Sequence, residues 1–300
     1  MKKQSKNRSK ILLVYPPMTG EDKFGEGLAA YDVKQIPLGI FYLAGFLRSK
    51  GIEVDAIDGE AFAVSVKEIV DRIKKENFSV LGISSTTLAF ERAIFLAEKV
   101  KKAKPDVQIV LGGPHISSMI AESMNYGCFD YGITNEGEQT FFELVTAIDN
   151  NKPLSKINGL IYKTKKGIKV NNPRENMPKL DDIPFPAYDL IPDINIYNPG
   201  PYQYKKTPVA NIMTSRGCPS LCTFCDRTVF GRRTRFRSAE NVVDEIEMLI
   251  RDFGVKEIIF MDDTFTLKKQ RIYDIFRICK ERGLKFPWSC MSRIDAVEED

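Results

Sequence analysis

The sequence SRGCPSLCTFCD at residues 215–226 places three cysteines in the spacing C-x3-C-x2-C. An apolar run precedes it at residues 209–214, and an amphipathic pattern follows at residues 239–253. We therefore expect the cysteines to lie in a loop between a strand and a helix. Three thiols within eight residues of a loop predict a metal site.

Two kinds of metal site use thiolates in this way. Zinc favours four protein ligands in a closed tetrahedral site. The chain has a single histidine, His115, and no second C-x-x-C pair. A 4Fe–4S cluster held by three thiolates keeps one iron open for another ligand. The residues therefore favour an iron–sulfur cluster at Cys218, Cys222 and Cys225, with a zinc site or three unrelated thiols as the alternatives.

The residues around and beyond the cysteine loop predict β/α repeats. In such barrels the active site forms from loops at the carboxyl ends of the strands. The three repeats in hand cannot close a barrel of about six to eight strands. We therefore expect a partial, truncated barrel, unless a partner completes it. The predicted strands are 209–214, 257–261 and 287–291, and the predicted helices are 239–253 and 268–282.

The first half of the chain alternates apolar runs with helical patterns. This alternation predicts a doubly wound, Rossmann-like parallel sheet, which would bind a ligand at the carboxyl ends of its strands. No G-x-G-x-x-G follows the first strand, so a dinucleotide is poorly supported. The predicted strands are 11–15, 52–57, 80–84, 107–111 and 131–133, and the predicted helices are 38–50, 66–76, 88–103, 116–124 and 139–150.

Between the two halves the regular pattern ends. A hairpin is predicted within 157–170, and eight prolines then follow between Pro173 and Pro208. Prolines at this density exclude a helix interior or a central strand, so we expect an extended linker on the surface. The predicted division is a disordered tail at 1–9, a Rossmann-like domain at 10–150, the hairpin and linker at 151–207, and a barrel part at 208–300.

Composition limits the class of protein. The 300 residues are 43% hydrophobic with a net charge of +4, which is typical of a soluble globular protein and does not indicate nucleic-acid binding. The apolar stretch at 36–47 is shorter than the about 20 residues that a membrane span needs. No export signal precedes the six cysteines, which predicts a reducing, cytoplasmic location. The arginines within 227–237 are interpreted as a solvated loop, with an anionic ligand as the alternative.

The cysteine loop resembles the signature of the radical S-adenosylmethionine (SAM) superfamily. In that family three cysteines bind three irons, and the fourth iron is chelated by the amino and carboxylate groups of SAM. One electron then cleaves SAM to methionine and a 5′-deoxyadenosyl radical. The resemblance implies that Phe224 lies near the adenine, and that Asp262 or Asp263 accepts hydrogen bonds from the SAM amino group. A helix N-cap is the alternative for the two aspartates.

Arg293 follows the third predicted barrel strand. The resemblance implies that this arginine pairs with the SAM carboxylate. A solvated surface arginine is the alternative.

The first half resembles the cobalamin-binding domain found upstream of many radical SAM barrels. The motif D-x-H-x-x-G is absent, so His115 is not expected to ligate the cobalt. A scaffold domain without cobalamin is the alternative. The resemblance implies cobalamin contacts from the strand-end loops at Ser84, Ser85, Thr86, Gly112, Gly113, Pro114, Glu136 and Gly137.

Together these features imply a cobalamin-dependent radical SAM enzyme that methylates an unactivated carbon of a small molecule. An electron donor such as flavodoxin or ferredoxin would reduce its cluster. Radical cyclisation or rearrangement, which is seen in relatives of the family, is the second enzymatic hypothesis. A metal-binding interaction protein without catalysis is the alternative from another class.

Overall fold

The computed structural model describes residues 8–20, 22, 33–200 and 203–297. The first unit is a parallel sheet with the strand order β2-β1-β3-β4-β5. Its strands are β1 (Ile11–Tyr15), β2 (Val54–Asp58), β3 (Val80–Ser84), β4 (Gln108–Gly112) and β5 (Tyr131–Ile133). Its helices are α1 (Leu38–Ser49), α2 (Val66–Lys75), α3 (Phe90–Ala103), α4 (Pro114–Ser118), α5 (Ile120–Asn125) and α6 (Glu138–Asn150).

The apolar strands of this sheet are covered on both faces, as the alternating pattern predicts. Ile11 to Val14 are each at most 1% exposed. The single helix predicted at 116–124 is wrong, because the backbone leaves helical geometry at Met119 and separates α4 from α5. Residues 1–7 of the disordered tail predicted at 1–9 lie outside the described residues. Ser9, in contrast, is buried, and its backbone N–H donates to Asp149.

The predicted hairpin extends the first sheet. β6 (Leu160–Thr164) pairs antiparallel with β5, and β7 (Gly167–Val170) pairs antiparallel with β6. The sheet therefore has seven strands, and only its last two depart from the parallel arrangement.

The proline-rich segment is not a surface linker, and that prediction is wrong. Its apolar side chains belong to a core that also contains Phe41 of α1 and Val242 of the second unit. Prolines set the backbone geometry, while the residues between them fill the space between the two units. The buried side chains of this segment include Leu180, Ile183, Tyr188, Ile191, Ile194 and Tyr197.

The second unit begins with a three-stranded parallel sheet of the order β12-β11-β8. A two-stranded antiparallel ribbon, β9 (Ser215–Arg216) with β10 (Arg235–Phe236), closes the base of the cysteine loop, residues 217–234. The sheet strands are β8 (Val209–Ile212), β11 (Glu257–Phe260) and β12 (Trp288–Cys290), and the helices are α7 (Ala239–Phe253) and α8 (Lys269–Glu281). In the described ranges every helix falls short of the length and apolarity that a membrane crossing requires.

Candidate functional site

A cavity of about 410 Å³ lies between the two units. The second unit contributes Asn211, whose side-chain amide exchanges two hydrogen bonds, of 2.9 and 3.0 Å, with the backbone of Ile36. Six of the eight predicted cobalamin contacts line this cavity: Ser84, Gly112, Gly113, Pro114, Glu136 and Gly137. Ser85 and Thr86 are not among the lining residues.

Gly112, which ends β4, and Gly113, which follows it, shape one wall of the cavity. Gly113 has a φ of +98°, and a Cβ there would lie 2.7 Å from the Ser85 carbonyl oxygen, so only glycine fits. A Cβ on Gly112 would meet nothing within 4 Å. The backbone is therefore bare at this wall, and a large flat ligand such as a corrin can approach it closely. These features fit cobalamin.

His115 lies behind this wall and is not among the residues that line the cavity. Its ring is 3% exposed and stacks on Phe90 with 3.8 Å between the ring centroids. Nδ1 lies 3.2 Å from the Thr87 hydroxyl. Burial lowers the pKa of His115 and favours the neutral imidazole. Its position matches a core histidine and not a ligand in the cavity.

The cysteine loop supplies three free thiols. Burial alone would raise the pKa of Cys218, but hydrogen bonds from Ser220 and Thr264 lower it on balance and favour the thiolate. Cys222 is half-buried and Cys225 is exposed. Within the described residues no group of three or more Cys, His, Asp or Glu side chains, the three thiols included, has an arrangement that could hold a metal ion. The chemistry of the donor set, three thiols in the C-x3-C-x2-C spacing, nevertheless fits a 4Fe–4S cluster with one open iron.

Helix α4 joins the cavity to the cysteine loop. Gly113 precedes the first residue of α4 and lines the cavity, while Ser118 ends the helix. The Ser118 hydroxyl donates to the carboxylate of Asp226, the residue after Cys225, and lies 3.0 Å from the Thr228 hydroxyl. The Ser118 hydrogen bond lowers the pKa of Asp226 and keeps it ionised.

The two adjacent aspartates after β11 occupy different environments. Asp262 is 1% exposed and accepts four hydrogen bonds, from the backbone N–H and the hydroxyl of both Thr214 and Ser215. It therefore links β11 to the start of the cysteine loop and has no free oxygen for SAM. Asp263 stays accessible, and the Gly217 N–H donates to it. Partial burial and the Asp262 charge raise the pKa of Asp263.

Neither aspartate caps a helix, so the N-cap alternative is wrong: Lys268 precedes α8 and makes no capping side-chain hydrogen bond. Arg293 donates to the Cys222 sulfur over 2.8 Å and pairs with Asp295. This arginine therefore reaches the cysteine loop. Phe224 is 92% exposed on the same loop.

The sequence pattern did not indicate two buried charge pairs, one between the two units and one within the second unit. Arg235 and Arg237, which we interpreted as part of a solvated loop, are 6% and 4% exposed, so that interpretation is wrong for both. Arg235 pairs with Glu136, and Arg237 pairs with Glu245. The alternation of the two arginines with Phe236 is the signal that could have indicated a strand with one buried face.

Two family descriptions match the chain. The B12 binding domain matches residues 28–145, and the radical SAM superfamily matches residues 212–298.

Three curated proteins illustrate the similarity. An uncharacterised methyltransferase of Pyrococcus horikoshii is 38% identical over 97% of this chain and 61% of its own length. The anaerobic magnesium-protoporphyrin IX monomethyl ester cyclase of Rubrivivax gelatinosus is 29% identical over 88% of this chain and 48% of its own. The cytidylyl-2-hydroxyethylphosphonate methyltransferase of Streptomyces wedmorensis is 27% identical over 96% of this chain and 60% of its own length. The chain thus spans 48% to 61% of the length of these relatives.

Two solved structures share the fold. The cobalamin-dependent SAM radical enzyme OxsB, with aqua-cobalamin and SAM bound, superposes with a TM-score of 0.78 at 23% identity, over 98% of this chain and 40% of that one. The radical SAM methyltransferase TsrM of Kitasatospora setae superposes with a TM-score of 0.67 at 20% identity, over 91% of this chain and 51% of that one.

Proposed function

Since this chain belongs to the cobalamin-dependent radical SAM family, we propose that it holds cobalamin and a 4Fe–4S cluster next to each other and uses SAM to methylate an unactivated carbon. The observation that carries the proposal is the position of the cavity. One wall consists of strand-end glycines of the B12 binding domain, and the other includes Arg216, two residues before Cys218.

The residues of the chain have separate roles in this proposal. Cys218, Cys222 and Cys225 hold the cluster, and Asp263 accepts from the SAM amino group. Arg293 lies beside Cys222, where its guanidinium can pair with the SAM carboxylate. Asp262 positions the loop without contacting SAM. When bound, the two cofactors supply an electron for SAM cleavage and a transferable methyl group.

Domain boundaries, substrate class and electron donor belong to the same proposal. We assign 10–150, together with the hairpin that extends its sheet, to the cobalamin domain, the rest of 151–207 to the connecting segment and 208–300 to the barrel part. The exposure of Phe224 and Cys225 on the cysteine loop supports the approach of a small electron carrier such as flavodoxin or ferredoxin. A small-molecule substrate and a cytoplasmic location complete the proposal.

Radical cyclisation is the second candidate function. The cyclase of Rubrivivax gelatinosus matches 88% of this chain, so the same two units also occur in a protein with a cyclase name. Cyclisation predicts turnover without incorporation of the SAM methyl group.

Anaerobic reconstitution with iron, sulfide and hydroxocobalamin tests the proposal. With SAM and dithionite we expect release of methionine and 5′-deoxyadenosine, and transfer of label from methyl-labelled SAM into a small molecule of an anaerobic extract. Nucleoside release without label transfer would support the cyclase. A colourless, zinc-containing protein that leaves SAM intact would support the non-catalytic alternative.

Asp263→Asn should weaken SAM binding by about tenfold or more, because a hydrogen bond to a charged group is worth about 1.5–3 kcal/mol. Equilibrium dialysis of the reconstituted protein measures the affinity. Asp252→Asn, at the exposed end of α7, is the control and should bind SAM as the wild type does. Equal affinity for Asp263→Asn and the wild type would remove Asp263 from the SAM site.

Gly112→Leu should weaken cobalamin binding by about tenfold or more, since excess volume in a fitted site costs about 1–3 kcal/mol. A side chain at position 112 would point into open space at the cavity wall, so the fold should tolerate the leucine. Co-elution of hydroxocobalamin absorbance with the protein measures binding. Gly127→Leu, at an equally open but exposed position, is the control. Unchanged binding by Gly112→Leu would place cobalamin elsewhere.

A further inference from the structure

Two arginines face each other at the base of the cysteine loop. Arg216 of β9 and Arg235 of β10 are direct partners in the antiparallel ribbon that closes residues 217–234. Both side chains are buried, with 5% and 6% exposure. Like charges directly opposite in a ribbon repel each other, and burial strengthens that repulsion. The ribbon therefore needs compensating charge to stay closed.

The compensating charge comes from the first unit. Glu138, the first residue of α6, accepts from Arg216 over 2.8 Å. Glu136 accepts from Arg235 through both oxygens, over 2.6 and 3.0 Å, and its Oε1 lies 3.4 Å from Arg216. Both carboxylates are buried. Two positive and two negative charges thus meet at the interface, with each sign supplied by a different unit.

The ribbon of β9 and β10 is packed tightly against the start of the cysteine loop. Gly217 has a φ of +92°, and a Cβ there would lie 2.7 Å from the carbonyl oxygen of Arg233. The Cys218 N–H donates to the carbonyl of Gly231 over 3.3 Å. An opening of the ribbon would therefore move Cys218 away from its backbone partner.

We propose that Glu136 and Glu138 are positioning residues for the cysteine loop: by neutralising Arg216 and Arg235 they keep its base closed, so that the first unit controls how firmly the second unit holds its cluster. The reference to a cluster rests on the proposed function. The charge balance itself concerns only residues of this chain.

Hydrogen exchange of the cluster-free full-length protein tests the charge balance directly. Glu138→Gln keeps the shape of the side chain and leaves two buried arginines to share the single carboxylate of Glu136. Amides of residues 217–234 should therefore exchange faster than in the wild type. The double variant Glu138→Gln with Arg216→Gln restores the balance and should recover most of the protection. Failure of the double variant to recover it would overturn the proposal, because a purely steric role for Glu138 predicts no rescue.

Glu245→Gln is the matched control, since it breaks the buried Arg237–Glu245 pair within the second unit. It should destabilise the protein globally and leave exchange of residues 217–234 close to the wild type. Equal loop exchange in Glu138→Gln and Glu245→Gln would show a general loss of stability and overturn the specific role.

Iron retention links the loop to the cluster. In reconstituted protein, Glu138→Gln should lose iron to a chelator about tenfold faster than the wild type, as outer partners of metal ligands commonly contribute about 10–100-fold in metal affinity. Glu245→Gln should lose iron at the wild-type rate. A wild type that binds no cluster would refute the proposed function, while the exchange experiment would still decide the charge balance.

Discussion

Cys225→Ala is expected to abolish cluster binding and to lower 5′-deoxyadenosine formation by about 10³-fold or more. Two remaining thiolates cannot hold three irons of a 4Fe–4S cluster. Cys225 is the informative choice because it is exposed and its sulfur contacts only the backbone carbonyl of Asp226 among the hydrogen bonds of the described residues. Loss of function should therefore occur without loss of folding. Iron content, visible absorption and nucleoside release measure the effect.

A second cysteine variant controls for the chemistry of the substitution. Cys279 lies in α8, is 3% exposed, and has its pKa raised to about 11 by burial, so it is a core side chain. Cys279→Ala should cost about 1 kcal/mol of stability and retain the cluster. A Cys225→Ala protein with full iron content would refute the assignment of the three ligands.

Asp262→Ala should lower the free energy of unfolding by about 3–5 kcal/mol, because it deletes a buried acceptor that four donors share. The substitution leaves two backbone N–H groups and two hydroxyls of Thr214 and Ser215 without their acceptor. Each buried donor that loses its partner costs about 1–3 kcal/mol before relaxation and water entry reduce the total. Urea denaturation of both proteins measures the change, with the dependence of the unfolding free energy on urea concentration compared between variant and wild type.

The neighbouring aspartate is the matched control. Asp263→Ala removes the same group one residue later, where the carboxylate is accessible, so stability should change by about 0.5 kcal/mol or less. Its effect should appear in SAM binding instead. Equal destabilisation by the two variants would show that Asp262 is not the structural link between β11 and the cysteine loop.

The parts of the fold that the sequence predicted are those controlled by local patterns. β1 and β3 have the residues that their apolar runs indicate, and α7 has the bounds that its amphipathic pattern indicates. The apolar run at 209–214 likewise predicted a strand before the cysteine loop, and β8 lies there. Such patterns depend on neighbouring residues, which the sequence shows directly.

The parts that escaped prediction depend on contacts between distant residues. Asp262 and Asp263 are the same residue type at one strand end, and only the fold shows that one faces Thr214 and the other an open loop. Arg216 is buried because Glu138, 78 residues earlier in the chain, accepts from it. The hydrophobic periodicity of a sequence cannot indicate a partner so far away along the chain.

The burial of the proline-rich segment determines whether the two units of this protein can be separated from each other. Tyr197 donates over 3.0 Å to Asp58 in the first sheet, and Tyr188 donates over 2.8 Å to Glu245 of α7. One stretch of chain is thus anchored in both units, and opening either unit exposes the core of the other. We therefore expect the two units to unfold together as one cooperative unit. A chimaera that exchanges one module between relatives would have to carry this segment together with both of its carboxylate partners.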